Sequence, residues 1–248
     1  MSHTDAPARV ALVTGGSGGI GRAVVRRLAR EGQAVAIHYA GNRAKAEALA
    51  EEVVAAGGRA LTVGGDVADE QAMAAAFDLV EAEFGGLDVV VHTAGTMHLA
   101  PIAELDLDAF DAMHRTNVRG TFVVAQQAAR RLRRGGALVN FSTSVVGLQF
   151  PAYGAYVATK GAVEAITLVL ARELRGRDVT VNAIAPGPTA TPLFLDGKDQ
   201  ATVDRLAAQP PLERLGTPED IAELAAFLAG PAGRWVNGQN IRSNGGIV

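Results

Sequence analysis

The chain has 248 residues, of which 48% are apolar, and a formal net charge of −3. This length fits one α/β domain with a core large enough to fold without covalent staples. The absence of cysteine excludes disulfides, thiolate metal sites and cysteine nucleophiles, and we predict no metal centre. With this small net charge and only short basic runs, nucleic acid is not an expected partner.

The N-terminal segment, Met1 to Arg9, is short and polar and does not resemble a signal peptide. We find no apolar run approaching the ~18 residues that a membrane span requires. We therefore expect a cytoplasmic protein that has no membrane partner.

Short apolar runs alternate along the chain with longer amphipathic ones. The predicted strands cover residues 10–13, 34–39, 60–63, 87–91, 137–141 and 179–181. The predicted helices cover about 20–31, 43–56, 69–84, 107–132 and 153–174. Strands that are apolar throughout and alternate with helices indicate a parallel sheet covered on both faces. Right-handed crossovers then give a doubly wound α/β sheet, a Rossmann fold, and we predict a single domain over 1–248.

The stretch from about Thr191 to Pro218 breaks this alternation with several prolines and glycines. An irregular insertion near the strand ends is typical of a segment that closes over a ligand. We predict that 191–218 is a substrate lid.

A glycine-rich turn, Thr14-Gly15-Gly16-Ser17-Gly18-Gly19-Ile20-Gly21, lies where the first strand passes into the first helix. Glycines there allow a tight turn and let backbone N–H groups approach a pyrophosphate at the helix N-terminus. The turn predicts a dinucleotide site that includes Gly15, Ser17, Gly19, Ile20 and Gly21.

The same turn also fits the G-x-S-x-G pattern of serine hydrolases, with Ser17 as the nucleophile. That mechanism needs a histidine late in the chain, whereas all five histidines (3, 38, 92, 98 and 114) lie in its first half. A hydrolase is therefore the least favoured alternative.

Tyr156 and Lys160 lie four residues apart on a predicted helix and share one face. A nearby ammonium favours phenolate, and we expect it to bring the phenol pKa toward neutrality. Such a tyrosine can give a proton to a carbonyl oxygen or take one from an alcohol. The end of a strand at Ser142-Thr143-Ser144 supplies hydroxyls, and Asn117 lies inside a helix, where asparagine is a poor former.

From about Ala8 to Gly246 the sequence resembles the short-chain dehydrogenase/reductase family. The resemblance implies that Tyr156 is the general acid/base and that Lys160 lowers its pKa and holds the nicotinamide ribose. It further implies that Ser144 orients the substrate carbonyl and that Asn117 anchors a proton-relaying water. Ser142 and Thr143 are close enough to Ser144 to compete for its role.

Several segments resemble the cofactor contacts of that family. The family usually has Asn-Asn-Ala-Gly after the fourth strand, where this chain has His92-Thr93-Ala94-Gly95. The resemblance also implies an adenine-contacting pair, a turn holding the nicotinamide carboxamide, and a last strand used in pairing subunits into a homo-oligomer, a dimer or tetramer. The cofactor residues implied in this way are Asp66, Val67, Ala94, Gly95, Tyr156, Lys160, Pro186, Gly187 and Thr189, and the last strand lies within 238–246.

The end of the second strand favours NADP(H) over NAD(H). An NAD enzyme of this fold normally has a carboxylate there, but the segment is Tyr39-Ala40-Gly41-Asn42-Arg43, in which Asn42 and Arg43 suit a phosphate. Against NADP(H), Gly18 stands where many NADP-using relatives have a basic residue. We expect Tyr39, Ala40, Asn42 and Arg43 to bind this part of the cofactor.

The expected substrate is a small carbonyl compound or the matching alcohol, and the closest resemblance is to reductases of 3-oxoacyl thioesters and polyketide-like aromatic ketones. The residues expected to line its site are mostly apolar: Met97, His98, Val146, Phe150, Pro188, Phe194 and Leu195. A dinucleotide-binding sensor without turnover is the alternative outside the enzymes.

Overall fold

The computed structural model describes residues 8–248, so His3 and the N-terminal segment up to residue 7 lie outside the described residues. Seven strands in this part of the chain form one parallel sheet in the order β3-β2-β1-β4-β5-β6-β7. The strands are β1 (Val10–Thr14), β2 (Ala34–Tyr39), β3 (Ala60–Gly64), β4 (Val89–His92), β5 (Ala137–Phe141), β6 (Thr180–Pro186) and β7 (Asn240–Ser243).

Ten α-helices connect or follow these strands in the described chain. They are α1 (Gly19–Arg30), α2 (Arg43–Ala55), α3 (Glu70–Phe84), α4 (Leu107–His114), α5 (Gly120–Arg131), α6 (Val145–Leu148), α7 (Gly154–Glu173), α8 (Pro192–Leu195), α9 (Gln200–Ala207) and α10 (Pro218–Ala229). Short 3-10 turns cover Ile102–Glu104 and Pro231–Gly233.

The core lies in two layers, one on each face of the sheet. In β1, Val10 and Leu12 pack toward α3, α5 and α7, whereas Ala11 and Val13 pack toward α1, α2 and α10. Because successive side chains of a strand point to opposite faces, strands buried on both sides must be apolar throughout. The prediction of a doubly wound α/β fold is confirmed.

The helices differ from the prediction in several places, and the short helices α6, α8 and α9 were not predicted. The helix predicted over 107–132 is divided by a π-helical turn at Arg115–Arg119, which places Asn117 in its middle. Helix α10 was missed, although Thr217 and Asp220 form a capping box and Pro218 occupies its first turn. This capping pattern is a recognisable signal for a helix start.

By length and composition alone, α7 is the one helix within 8–248 that could cross a membrane. Its buried residues include Tyr156, Lys160 and Val163. Its apolar side packs on β5, β6 and α5, which explains its composition as that of a helix covering a sheet.

Candidate active site

A cleft of about 140 Å³ opens at the carboxyl ends of the strands and contains the Tyr156–Lys160 pair. In doubly wound sheets, ligands bind at this edge. The cleft wall has four parts, which come from the first turn, from the loop after β4, from β5 with α7, and from the segment after β6. The lining residues include Ile20, Thr93, Gly95, Thr96, Met97, Phe141, Ser142, Thr143, Ser144, Phe150, Tyr153, Tyr156, Lys160, Pro186, Gly187, Pro188, Thr189, Thr191, Leu193, Phe194 and Leu206.

Tyr156 and Lys160 lie on the inner face of α7 and are only 8% and 7% exposed. The Lys160 Nζ atom donates a hydrogen bond of 2.9 Å to the carbonyl oxygen of Phe141, and it lies 5.9 Å from the centre of the Tyr156 ring. The end of β5 therefore fixes the ammonium beside the phenol, as the i, i+4 spacing predicted.

The pKa of Tyr156 does not follow the prediction. Burial raises it to about 12, which outweighs a hydrogen bond from the Thr143 side chain that acts in the opposite direction. Burial also lowers the pKa of Lys160 to about 8. The expectation of a phenol brought toward neutrality was wrong for the protein alone, because removal from water disfavours both charged forms. Tyr156 is thus a protonated acid at neutral pH.

Ser144 lines the cleft, but its hydroxyl is already bonded to the protein. Its Oγ atom donates to the carbonyl oxygen of Ala185 at 3.0 Å and accepts from Nδ2 of Asn244 at 2.9 Å. A serine has only one hydrogen to donate, so this hydroxyl cannot also donate to a substrate oxygen without breaking the bond to Ala185.

Thr143, immediately before it, is the one of the three hydroxyl residues that acts on the pKa of Tyr156, which it lowers, and its Oγ1 atom accepts from the N–H of Val145 at 3.3 Å. Ser142 is engaged elsewhere, since its Oγ atom donates to Glu164 at 2.6 Å. The three competing hydroxyls are therefore distinguished by their partners, since those of Ser142 and Ser144 donate to other parts of the protein and that of Thr143 acts on the pKa of Tyr156. Asn244, which holds Ser144, was not identified from the sequence.

Asn117 is buried in the π-helical turn, and its amide binds the loop after β4. Its Nδ2 atom donates to the Thr96 carbonyl at 2.8 Å and to Thr159 Oγ1 at 3.0 Å, and its Oδ1 atom accepts from the Thr96 N–H at 2.9 Å. Both amide hydrogens are therefore used by the protein. The side chain therefore holds Thr96 in place. A water at this turn could donate a hydrogen bond only to a main-chain carbonyl or to the remaining lone pair of Asn117 Oδ1.

The glycine-rich turn has the close approaches that the sequence predicted. Gly15 has φ +65°, and a Cβ there would lie 2.9 Å from the Cα atom of Ala94. At Gly19 a Cβ would lie 2.8 Å from Cγ2 of Thr191, where the lid segment begins. Gly95 faces Asn117 and Lys160, with a Cβ 3.3 Å from the ammonium. Side chains at these positions would displace the backbones that form the cradle.

Comparisons with known proteins identify the family of this chain. A family model described as Enoyl-(Acyl carrier protein) reductase matches residues 15–248. A "Short-chain type dehydrogenase/reductase" from Picea abies is 42% identical over 97% of this chain and 92% of its own length. The chain belongs to the short-chain dehydrogenase/reductase family. It is an oxidoreductase enzyme of that family, so the interpretation as a sensor without turnover was wrong.

Two further relatives of this dehydrogenase/reductase bear on its cofactor. A chloroplastic "NADPH-dependent aldehyde reductase-like protein" of Arabidopsis thaliana is 39% identical, covering 97% of this chain and 94% of its own. The crystal structure of a short-chain dehydrogenase from Burkholderia cenocepacia in complex with NADP is 38% identical, with a TM-score of 0.91 over 96% of this chain and 97% of that one.

In this family member, the two residues predicted to contact the adenine, Asp66 and Val67, lie in different environments. Asp66 forms an ion pair with Arg115, from the π-helical turn, and its Oδ1 atom accepts from the N–H of Ala68 at 2.9 Å. Val67 is buried against Gly120, where a Cβ would lie 2.7 Å from its Cγ2 atom. Asp66 thus remains at the surface, whereas Val67 packs the loop. Arg115 was not identified from the sequence.

The end of β2 carries no carboxylate, as predicted, and its polar side chains have local partners. Asn42 caps α2 by accepting from the N–H of Lys45 at 3.0 Å, which leaves its amide hydrogens free. Arg43 is exposed and its Nε atom lies 2.7 Å from Glu47. Tyr39 packs against Gly64. This corner therefore presents an exposed guanidinium beside the N-terminus of a helix.

The turn after β6 connects the cofactor side of the cleft to the lid segment, 191–217, since Pro218 already belongs to α10. Gly187 donates to the carbonyl of Ser243 at 3.0 Å, and the Thr189 hydroxyl donates to Gly187 at 2.9 Å. The two ends of the segment are joined because Ala190 donates to Gly216 at 2.9 Å and Gly216 donates to Pro188 at 2.8 Å.

The apolar lining was predicted in part. Met97, Phe150, Pro188 and Phe194 line the cleft, together with Leu193, Leu206 and Tyr153, which were not predicted. The other three predicted residues, His98, Val146 and Leu195, are not among the lining residues. Ser17, the nucleophile of the hydrolase alternative, forms no hydrogen bond with a histidine anywhere in 8–248. Within the same range, no group of His, Asp and Glu side chains is arranged to hold a metal ion.

Proposed function

We propose that this enzyme is an NADP(H)-dependent reductase of apolar ketones or aldehydes, with Tyr156 as the general acid/base. The observation that carries the proposal is the cleft in which a buried phenol and ammonium lie between the glycine-rich turn and an apolar wall. When bound there, the nicotinamide would supply or accept a hydride, which is chemistry that no side chain offers.

The residues fit such a dinucleotide on structural grounds. The close approaches at Gly15 and Gly19 leave backbone N–H groups at the start of α1, where a pyrophosphate is favoured. Pro186, Gly187 and Thr189 would hold the nicotinamide carboxamide, and Lys160 has hydrogens left for the ribose after its bond to Phe141. Asp66, Ala94 and Gly95 are among the other contacts that we predict.

In the reduction, Tyr156 donates its proton to the carbonyl oxygen as negative charge develops there. Its raised pKa of about 12 keeps it protonated at neutral pH, which suits the direction of reduction. The Lys160 ammonium, held at the end of β5, stabilises the phenolate that remains.

Thr143, and not Ser144, would donate the second hydrogen bond to the substrate oxygen. Its side chain lowers the pKa of Tyr156, whereas the hydrogen of Ser144 is used by Ala185. A donor positioned where an oxyanion forms is among the larger contributions to catalysis.

The substrate side is apolar, since Met97, Phe150, Leu193, Phe194 and Leu206 line it. The lid carries Asp196, Asp199 and Asp204 as well as Lys198 and Arg205, so its charges are mixed. An acidic carrier protein would be favoured by a basic surface. We therefore favour a free carbonyl compound over a carrier-bound thioester.

A homo-oligomer, a dimer or tetramer, belongs to the same proposal. Phe122 on α5 and Leu168 and Val169 on α7 are 58%, 42% and 55% exposed, beside the small residues of both helices. An exposed apolar patch on neighbouring helices is typical of a subunit interface. Light scattering coupled to size exclusion gives the subunit number, and a monomer at micromolar concentration would refute this part.

The first test is a calorimetric titration with NADPH and, separately, with NADH. We expect tighter binding of NADPH, and a loss of that preference in Arg43→Ala, whose guanidinium stands at the end of β2. Arg30→Ala, which removes an exposed arginine from the far end of α1, is the control. Tighter binding of NADH would overturn the phosphate argument, and no binding of either would overturn the dinucleotide site.

The second test is turnover of a panel of carbonyl compounds, followed by the loss of NADPH absorbance. Aromatic and aliphatic ketones and aldehydes of matched size test the apolar wall. A preference for charged or polyhydroxylated substrates would contradict the proposed substrate class.

A further inference from the structure

His92 stands at the end of β4, where the family usually has the first asparagine of Asn-Asn-Ala-Gly, and the proposed reaction gives it no role. Its side chain is buried, with 2% exposed, and each of its two ring nitrogens has a hydrogen-bond partner. Nδ1 lies 2.7 Å from Oγ1 of Thr14, and Nε2 lies 3.2 Å from Oγ1 of Thr121. A buried histidine bonded on both sides is a connection between two elements.

The direction of the hydrogen bonds follows from the hydroxyl of Thr121. This hydroxyl donates its only hydrogen to the carbonyl oxygen of Asn117, at 2.6 Å. It can therefore only accept from His92, so the ring hydrogen is on Nε2. Nδ1 is then bare and accepts from Thr14. The tautomer of His92 is fixed by a carbonyl that is not in contact with the ring.

His92 is neutral in this environment. Burial lowers its pKa to about 3, and the nearby charges of Lys160 and His38 act in the same direction. The groups around it are the hydroxyls of Thr14 and Thr121, with Lys160 as the nearby cation. A ring that stays neutral across the working pH range transfers no proton in the reaction, and its contribution is geometric.

The two ends of this chain of hydrogen bonds are parts of the site. At one end, Thr14 begins the glycine-rich turn, and the Ala94 N–H approaches its Oγ1 atom at 3.5 Å. At the other end, Asn117 holds the main chain of Thr96 at both its N–H and its carbonyl. Thr121 and His92 thus connect the cofactor turn to the π-helical turn through the protein core.

We propose that His92 is a positioning residue that holds the glycine-rich turn and the Asn117 turn in a fixed relation through Thr14 and Thr121. This inference rests on the proposed function in one respect, since two of the quantities that test it are NADPH binding and carbonyl reduction. Because the hydrogen bonds run from Thr14 through His92 and Thr121 to Asn117, breaking them at Thr14 and breaking them at Thr121 should have different effects. Loss of the Thr121 end should disturb Asn117 and turnover, whereas loss of the Thr14 end should disturb cofactor binding.

The matched control is His38, the other fully buried histidine on this side of the sheet. It is 1% exposed, and neither ring nitrogen has a hydrogen-bond partner within residues 8–248, although the Gly65 peptide lies nearby outside hydrogen-bond geometry. His92→Phe and His38→Phe therefore make the same change at similar burial. Only the first breaks a connection between two parts of the site.

The experiment measures kcat, the NADPH dissociation constant and the melting temperature for these two variants and for Thr121→Val and Thr14→Val. We expect His92→Phe to lower kcat by about 10-fold or more and to weaken NADPH binding, with His38→Phe close to wild type in both. We expect Thr121→Val to lower kcat by about 5-fold with unchanged NADPH affinity, and Thr14→Val to weaken NADPH binding by a similar factor. Both valines are close in shape to threonine, so they test the inference even where His92→Phe does not fold.

A second readout does not involve turnover. In ¹⁵N-labelled protein, the ring signals of His92, assigned by their loss in His92→Gln, should show the neutral Nε2–H tautomer unchanged from pH 8 to pH 5. An Nδ1–H tautomer or a ring that becomes charged in this range would overturn the inference. Equal effects of His92→Phe and His38→Phe on kcat, or valine variants that change only the melting temperature, would also overturn it. A wild-type protein that neither binds NADPH nor reduces a carbonyl would instead refute the proposed function, while the tautomer would still test the connection.

Discussion

The two walls of the cleft are built differently. On one wall, which we call the catalytic wall, Thr143, Ser144, Tyr156 and Lys160 are each at most 8% exposed. Lys160 and Ser144 donate to main-chain carbonyls of β5 and β6. On the other wall, which the predicted lid contributes and which we call the lid, neither α8 nor α9 contains a buried residue, and Leu193 is 51% exposed.

From this difference we infer that one wall carries out the proposed reaction and the other selects the substrate. The catalytic wall is held by strand ends in a packed core, so its donors are positioned before a ligand binds. The lid is held by the main-chain hydrogen bonds of Gly216 and by the contact of Thr191 with Gly19. Within it there are local contacts such as that of Lys198 with Phe194. Elements with few buried contacts are the ones that open at low free-energy cost. Substitutions on the wall should therefore lower kcat, and those on the lid should alter KM.

The largest effect should follow from Tyr156→Phe, which removes the proton donor and keeps the ring. We expect kcat to fall by about 10²- to 10⁴-fold, the usual range for loss of a general acid, with NADPH affinity little changed. Steady-state kinetics and calorimetry measure the two quantities. Tyr153→Phe is the control, because it removes the other phenol of the same cleft, and its kcat should stay close to wild type. Full turnover by Tyr156→Phe would remove the acid assignment.

The next effect is on stability and concerns the buried ammonium. The pKa of Lys160 is lowered to about 8 in the folded state, from 10.5, so between these values the unfolded chain binds more protons than the folded one. The stability of the wild type should therefore rise with pH through this window, by roughly 3 kcal/mol relative to Lys160→Met. Chemical denaturation from pH 7.5 to 10 gives the difference, with Lys45→Met as the control for removing a surface ammonium. A difference that does not change with pH would mean that Lys160 is solvated.

The catalytic wall was partly predictable from the sequence. The i, i+4 spacing placed Tyr156 and Lys160 on one face because helix geometry is local. The choice between Ser144 and Thr143 was not local, since it depends on Ala185 and on Asn244, a hundred residues further along the chain. The raised pKa of Tyr156 was not predictable either, because it results from burial of the side chain, which the spacing of residues in the sequence does not reveal.

The sequence predicted the lid only as a segment that interrupts the alternation of strands and helices. Its prolines and glycines indicated irregular structure within 191–218, and Pro218 already belongs to α10, while the lid itself stays a prediction. The side chains that reach the cleft were not predictable, since Leu193 and Phe194 line it while Leu195 does not. In a segment without a regular period, the direction of a side chain depends on packing that the sequence does not specify.

The third prediction tests the catalytic wall by comparing two adjacent hydroxyls. We expect Thr143→Val to lower kcat by roughly 10²-fold, the scale for losing one donor to a developing oxyanion, and Thr143→Ser to restore most of it. We expect Ser144→Ala to retain kcat but lose about 1 kcal/mol of unfolding free energy, since its bonds to Ala185 and Asn244 are structural. The opposite pattern, with Ser144→Ala inactive and Thr143→Val active, would return the substrate-orienting role to Ser144.

The smallest expected effect is on the lid, at Phe194. Its ring lies in the cleft wall with the Lys198 ammonium 4.8 Å from the ring centre, and Lys198 also donates to the Phe194 carbonyl. Phe194→Ala removes apolar surface that a bulky substrate would cover, so KM for an aromatic ketone should rise by about 5- to 10-fold. The kcat value should stay near wild type, because the proton donor and its partners belong to the other wall.

A small aliphatic carbonyl compound sharpens this last comparison, since it covers less of the Phe194 ring and its KM should change little. Phe227→Ala, on α10 outside the cleft, is the control for losing a half-exposed phenylalanine. If Phe194→Ala instead lowered kcat equally for both substrates, the lid would be part of the catalytic assembly, in the way that closing loops complete a site. The division between a wall that reacts and a lid that selects would then be wrong, and the lid would have to close before Tyr156 could act.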